Sequence, residues 1–155
     1  MPKVPLFGTL ADLLPHREPM ILLDAVHDWG ESYLEAVVEH KQPGIFTNAA
    51  GEVPAWVGVE YMAQAIGAWA GIRARSNDQP IRIGFLLGTR KYTSYTEAFN
   101  FGEKVVVRVE KLMMDNENLA LFDCKIFADK ILATAQIKAI QPQNIEEILG
   151  ENRLS

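Results

Sequence analysis

Glu60 stands four residues before Gln64 in a run that is otherwise almost wholly apolar, VPAWVGVEYMAQAIGAWAG, Val53 to Gly71. A carboxylate among Trp, Val, Met and Ala is costly to bury unless it is paired or neutral. Its presence there therefore asks for a function. At about 100° per residue, Glu60, Gln64, Gly67 and Gly71 share one helical face. That spacing lets the Gln64 amide hold the carboxylate. The bland reading is a buried Glu fixed by Gln64 or by backbone. The functional reading is an acid–base group, because desolvation tunes a carboxyl toward proton transfer and a helix N-terminus offers free N–H groups. The other candidates are scattered: His16, His27 and His40, and the lone Cys124. One cysteine forms no internal disulfide, and this set has no metal-ligand spacing, so no metal or other cofactor is expected.

These residues need elements to position them. LADLL (Leu10 to Leu14) suggests a short helix stopped by Pro15. An extended run to a turn at Gly30 and Glu31, then YLEAVVEH (Tyr33 to His40), suggests a hairpin. KQPGIFTNAAGEVP is a loop by composition. Pro54 suits the helix start, and Arg73 and Arg75 suit its negative C-terminal end. After Pro80 the pattern becomes strands: IRIGFLLGTRKYTSY, bent at Gly84 or Gly88, then EKVVVRVEKLMM, then LALFDCKIFADKILATAQIKAI split at ADK. Val105, Val107 and Val109 alternate with Arg108 and Glu110, and Phe122, Cys124 and Ile126 with Asp123 and Lys125. One-faced alternation means antiparallel strands buried on one side. NIEEILGENR adds a short terminal helix.

The chain has 155 residues, a net charge of −5 and no basic block, which points away from nucleic acid. There is no repeat or linker, so one domain over 1–155 is expected. The N-terminus has no signal-peptide pattern, and the expected address is cytoplasmic. The apolar helix carries Glu60, Gln64 and several glycines, so it is read as a core helix rather than a membrane span. The fold class is α+β: one long apolar central helix wrapped by a curved antiparallel β-sheet. Such a sheet leaves an edge, and part of the helix, for a second subunit to cover.

Two segments carry a family resemblance. LLPHREPMILLDAV (Leu13 to Val26) and VPAWVGVEYMAQA (Val53 to Ala65) resemble the hot-dog 3-hydroxyacyl-(acyl-carrier-protein) dehydratases. FLLGTRKYTSYTEAFNFGEKVVVRV is similar to that family's strand pair after the helix. Within the group, VPAWVGVEYMAQAI is similar to the dehydratase-like proteins of aryl-polyene pigment clusters. The resemblance implies a hot-dog fold and the loss of water from a 3-hydroxyacyl thioester. It implies Glu60 as the catalytic carboxylate, Gln64 as its support and the Ala55 backbone N–H as oxyanion donor. His16 falls in the family's LPHR segment, where it pins the N-terminal arm or takes part in acid–base work.

The family's histidine stands fourteen residues before the glutamate; here that position is Phe46. Glu60 then acts alone, or a neighbouring subunit supplies the histidine; His40 replaces it only in a rearranged loop. The implied substrate is a thioester of acyl carrier protein or CoA. The implied assembly is a homodimer or larger homo-oligomer, or a hetero-oligomer with a related dehydratase. Arg73, Arg75, Arg82, Arg90 and Lys91 form the expected dock for an acidic carrier. Trp56, Trp69, Tyr61, Met62 and Phe85 either line an acyl tunnel or are plain core. Two rival readings are a hot-dog thioesterase with Glu60 activating water, and a non-catalytic acyl-binding subunit.

Overall fold

The computed structural model describes residues 21–76, 85–115 and 119–140. The helices expected near Leu10 and in NIEEILGENR, together with His16 and Arg82, lie outside the described residues, as do the side chains of Arg75, Phe85 and Arg90.

Eight strands and one long helix make up the described chain. β1 (Ala25–Trp29) and β2 (Tyr33–Val38) form the expected hairpin, turned at Gly30. β3 (Val53–Pro54) leads through a 3-10 turn (Ala55–Val57) into α1 (Gly58–Ser76). β4 (Phe85–Ser94), β5 (Ala98–Phe99), β6 (Val105–Met114), β7 (Leu119–Phe127) and β8 (Ile131–Ile140) follow. The main sheet has the order β1-β2-β6-β7-β8-β4, with every neighbouring pair antiparallel. β3 and β5 form a separate two-stranded ribbon that the sequence pattern did not indicate. Two residues per strand are too few for periodicity to register.

The one-faced alternation places the core. Val105, Val107, Val109, Phe122, Cys124, Ile126, Ala135 and Ile137 point inward and are buried. They pack against Met62, Ala65, Ala68, Trp69 and Ile72 of α1. The strand after the helix is irregular where expected, with a register shift between Leu86 and Gly88 and another between Arg90 and Thr93. At the second shift Lys91 has φ +56°. Beyond it, the Tyr92 hydroxyl reaches the Ala55 carbonyl at the start of the 3-10 turn. Helix and sheet meet most closely at Gly58, where an added Cβ would sit 2.9 Å from the Ile126 Cδ1 and nearer still to the Tyr92 hydroxyl. Any side chain there overpacks the joint, at a cost of about 1–3 kcal/mol.

As expected, the sheet does not cover the helix on every side, and one stripe of α1 is partly open. Val59, Glu60, Ala63, Gly67, Ala70 and Ala74 are all only half-buried, and they lie within about a quarter of the helix circumference. Among the described residues no helix is long and apolar enough to cross a membrane.

Candidate active site

Glu60 lies on α1 at the N-terminal end of that open stripe and is half-buried. Gln64, one turn on, is fully buried. Its Nε2 donates to Glu60 Oε1 at 3.2 Å, and its Oε1 accepts the Leu22 N–H at 2.8 Å. The amide therefore has a fixed sense: it offers its N–H to the carboxylate because its oxygen is held by the segment entering β1. The predicted support role of Gln64 has a geometric basis, and it also ties Glu60 to the N-terminal segment. Gln64→Leu should cost about 1–3 kcal/mol, because it removes the acceptor of the part-buried Leu22 N–H and the donor to Glu60 together. Chemical denaturation of the variant beside the wild type checks this.

The N–H expected to act as oxyanion donor is engaged. Ala55 N–H donates to the Glu97 carbonyl at 3.0 Å, because the β3–β5 ribbon brings residue 97 alongside. The Gly58 N–H is also taken, by the carbonyls of Ala55 and Trp56. The Val57 N–H is likewise spent inside the turn, in the i+3 bond to the Pro54 carbonyl that makes Ala55–Val57 a 3-10 helix.

Neither described histidine faces Glu60 through a hydrogen bond. His27 Nε2 pairs with Glu35 Oε1 at 2.8 Å, and Arg108 holds the other oxygen of Glu35 at 2.9 Å, on the outer face of the sheet. Both ring nitrogens of His40 are committed, Nδ1 to the Glu103 carbonyl at 2.6 Å and Nε2 to the Tyr61 hydroxyl at 2.9 Å. Phe46 occupies the place that the family pattern gives to histidine, and its ring meets Trp56 edge-on at 5.7 Å.

The aromatic candidates separate. Trp69 and Met62 are core, while Tyr61 lines a cavity with Phe46 and His40. Trp56 is 63% exposed and is therefore not part of this chain's core. The proposed basic dock is only partly described. Arg73 donates to the Glu31 carbonyl at 3.2 Å and stacks over Trp69, while Lys91 is exposed on β4. Lys111 also lies over the Trp69 ring, at 5.3 Å, a shared neighbour with Arg73 that sequence separation had hidden. No cluster of metal-ligating side chains occurs among the described residues.

A six-stranded antiparallel sheet packed on one long central helix defines a hot-dog fold. The family model for ApeP-like proteins, described as ApeP dehydratase, matches residues 8–150, and the chain belongs to that family. No curated protein matches it. Among solved structures, the dehydratase heterocomplex ApeI:P from Xenorhabdus doucetiae is similar at 28% identity and a TM-score of 0.84, covering 94% of this chain and 99% of that one. A conserved protein from Pseudomonas aeruginosa, PA5202, is similar at 15% identity and TM-score 0.62, covering 83% and 95% of the two chains. A hypothetical thioesterase with coenzyme A from Streptococcus pneumoniae is similar at 9% identity and TM-score 0.57, covering 74% and 81%. These last two likenesses show the fold alone. The family and the first structure make this a dehydratase-like protein.

Proposed function

We propose that this chain is the carboxylate-bearing subunit of a dehydratase that acts on 3-hydroxyacyl thioesters in fatty-acid or polyene-type lipid synthesis, and that the histidine of the site comes from a second, related subunit. The observation that carries the reading is the position of Glu60. It is held by Gln64 at the end of a helix stripe of small residues that this chain's own sheet leaves open. Ala63, Gly67, Ala70 and Ala74 let another backbone come close along that stripe. Within the described chain, His27 and His40 are spent elsewhere. The similar structure from Xenorhabdus doucetiae is itself a dehydratase heterocomplex, which supports a hetero-oligomer here.

The chemistry divides naturally between two groups. The thioester carbonyl acidifies the C2 proton, and one group removes it. The electron pair forms the C2–C3 double bond, and the C3 hydroxyl leaves as water once the other group protonates it. The backbone N–H of Trp56, in the turn ahead of α1, stabilises the enolate-like oxygen, in place of the occupied Ala55 donor. His16, in the family's LPHR segment, is assigned the pinning of the N-terminal arm. The substrate arrives on an acidic carrier protein or on CoA in the cytoplasm, with Arg73, Arg75, Arg82, Arg90 and Lys91 as the dock.

The test is to incubate the chain, co-purified with its partner, with 3-hydroxyacyl and acyl pantetheine thioesters. Enoyl absorbance from the hydroxyacyl substrate is the expected result. Release of free thiol from both would establish hydrolysis and overturn the proposal.

A further inference from the structure

A cavity of about 560 Å³ opens between the 21–24 segment, the loop after β2 and the first turns of α1. Leu23, Val38, Phe46, Val53 and Val57 give it apolar walls. Asp24, His40 and Tyr61 form its polar corner.

The hydrogen bonds of that corner have a determined direction. His40 Nδ1 is 2.6 Å from the Glu103 carbonyl oxygen, which can only accept, so Nδ1 carries the proton. In the neutral imidazole Nε2 is then the acceptor, and the Tyr61 hydroxyl, 2.9 Å away, donates to it. The ring is held for this purpose from several sides. Gly102 N–H donates to the His40 carbonyl at 2.9 Å, and the ring stacks on Phe99 at 5.6 Å. His40 itself sits at φ +52°, a left-handed conformation that a non-glycine residue keeps only when its surroundings impose it.

The consequence falls on Tyr61. Its proton is spent on His40, so the oxygen of this wall residue, whose side chain is only 2% exposed, has only lone pairs to offer. Burial, with Asp24 as the second cause, pushes the phenol pKa well up, so the group stays a neutral hydroxyl. The Asp24 carboxylate takes the Glu39 N–H at 2.7 Å and likewise has only acceptors to offer. Lys41 and Gln42, which also border the cavity, are exposed, and Lys41 is paired with Glu39, while the half-buried Thr47 hydroxyl at the loop side is engaged by the Gly44 N–H at 2.8 Å and is the remaining side-chain donor.

We propose that this cavity is a specificity site for a hydroxyl group carried on an apolar chain, with the Tyr61 oxygen accepting the ligand's O–H and His40 as the positioning residue that fixes the bond's direction. The thioester reading above supplies only the choice of probe.

Calorimetry of the full chain with medium-chain 3-hydroxyacyl, unsubstituted acyl and 3-oxoacyl pantetheine thioesters tests it. The wild type should bind the hydroxyacyl probe about tenfold more tightly than the acyl probe, the worth of one net hydrogen bond. Tyr61→Phe should abolish that preference. His40→Asn keeps a residue that tolerates the left-handed backbone and frees the Tyr61 proton. It should therefore shift preference toward the 3-oxoacyl probe, an outcome that a purely structural histidine does not produce. Equal wild-type affinity for hydroxyacyl and acyl probes, or no binding of either, overturns the proposal. That comparison decides alone if either variant misfolds. Loss of dehydration in a Glu60 variant leaves it untouched, so the two readings fail separately.

Discussion

Glu60→Gln in the co-assembled dehydratase should lower enoyl formation from a 3-hydroxyacyl thioester by about 10²–10⁴-fold, the range for removing a positioned acid–base group. The substitution keeps the shape of the side chain and leaves an oxygen for the Gln64 N–H, now 3.2 Å from Oε1. What it removes is the ability to exchange a proton. The structural cost is small, because an acidic group in the first turn of a partly exposed helix contributes only about 0.3–1 kcal/mol through the helix dipole. Steady-state rates beside a thermal melt separate the two effects. A rate collapse with a melt shifted by only a few degrees identifies catalysis. An unchanged rate with a lowered melt identifies a merely structural carboxylate.

Trp69→Ala should be the most destabilising single truncation in the helix, at about 3–5 kcal/mol. The indole is only 2% exposed, and it packs edge-on to Phe122 at 5.3 Å. Its Nε1 donates to the Glu31 carbonyl at 3.2 Å, which ties α1 to the β1–β2 turn. Arg73 and Lys111 both lie over the ring, at 5.4 and 5.3 Å. Truncation therefore opens a cavity, unpairs the turn and releases two cations together. For a chain of this size the melting point should fall by roughly 6–20 °C, from about 2–4 °C per kcal/mol. Trp56→Ala is the matched control. Its side chain is 63% exposed and should cost less than about 1 kcal/mol.

The same contrast shows what the sequence could and could not reveal. Residues whose role depends on periodicity were legible: the alternation of Val105, Val107 and Val109, and the i, i+4 pairing of Glu60 with Gln64, both appear as read. The register shift near Gly88 was legible too, because glycine in a strand marks irregular pairing. Features created by distant segments were not. The β3–β5 ribbon that occupies the Ala55 N–H joins residues more than forty positions apart. His40 reads as a loop-edge residue until the turn at Gly102 and Glu103 folds back to hold it. That part of α1 would stay uncovered was expected, but which stripe was hidden for a different reason. Alanine and glycine carry no signal that distinguishes a face buried by the chain's own sheet from one kept for another subunit. Glu60 was the exception on that stripe, and it was visible because a carboxylate is out of place among small apolar residues.

If Glu60 works with a histidine from a second chain, neither chain suffices alone. The decisive comparison is of 3-hydroxyacyl thioester dehydration by this chain, by its partner, and by the two co-purified. Full activity should appear only in the mixture and be lost when Glu60→Gln is introduced into this chain while the complex still assembles. Full activity of this chain alone, or a mixture indifferent to Glu60→Gln, would contradict it.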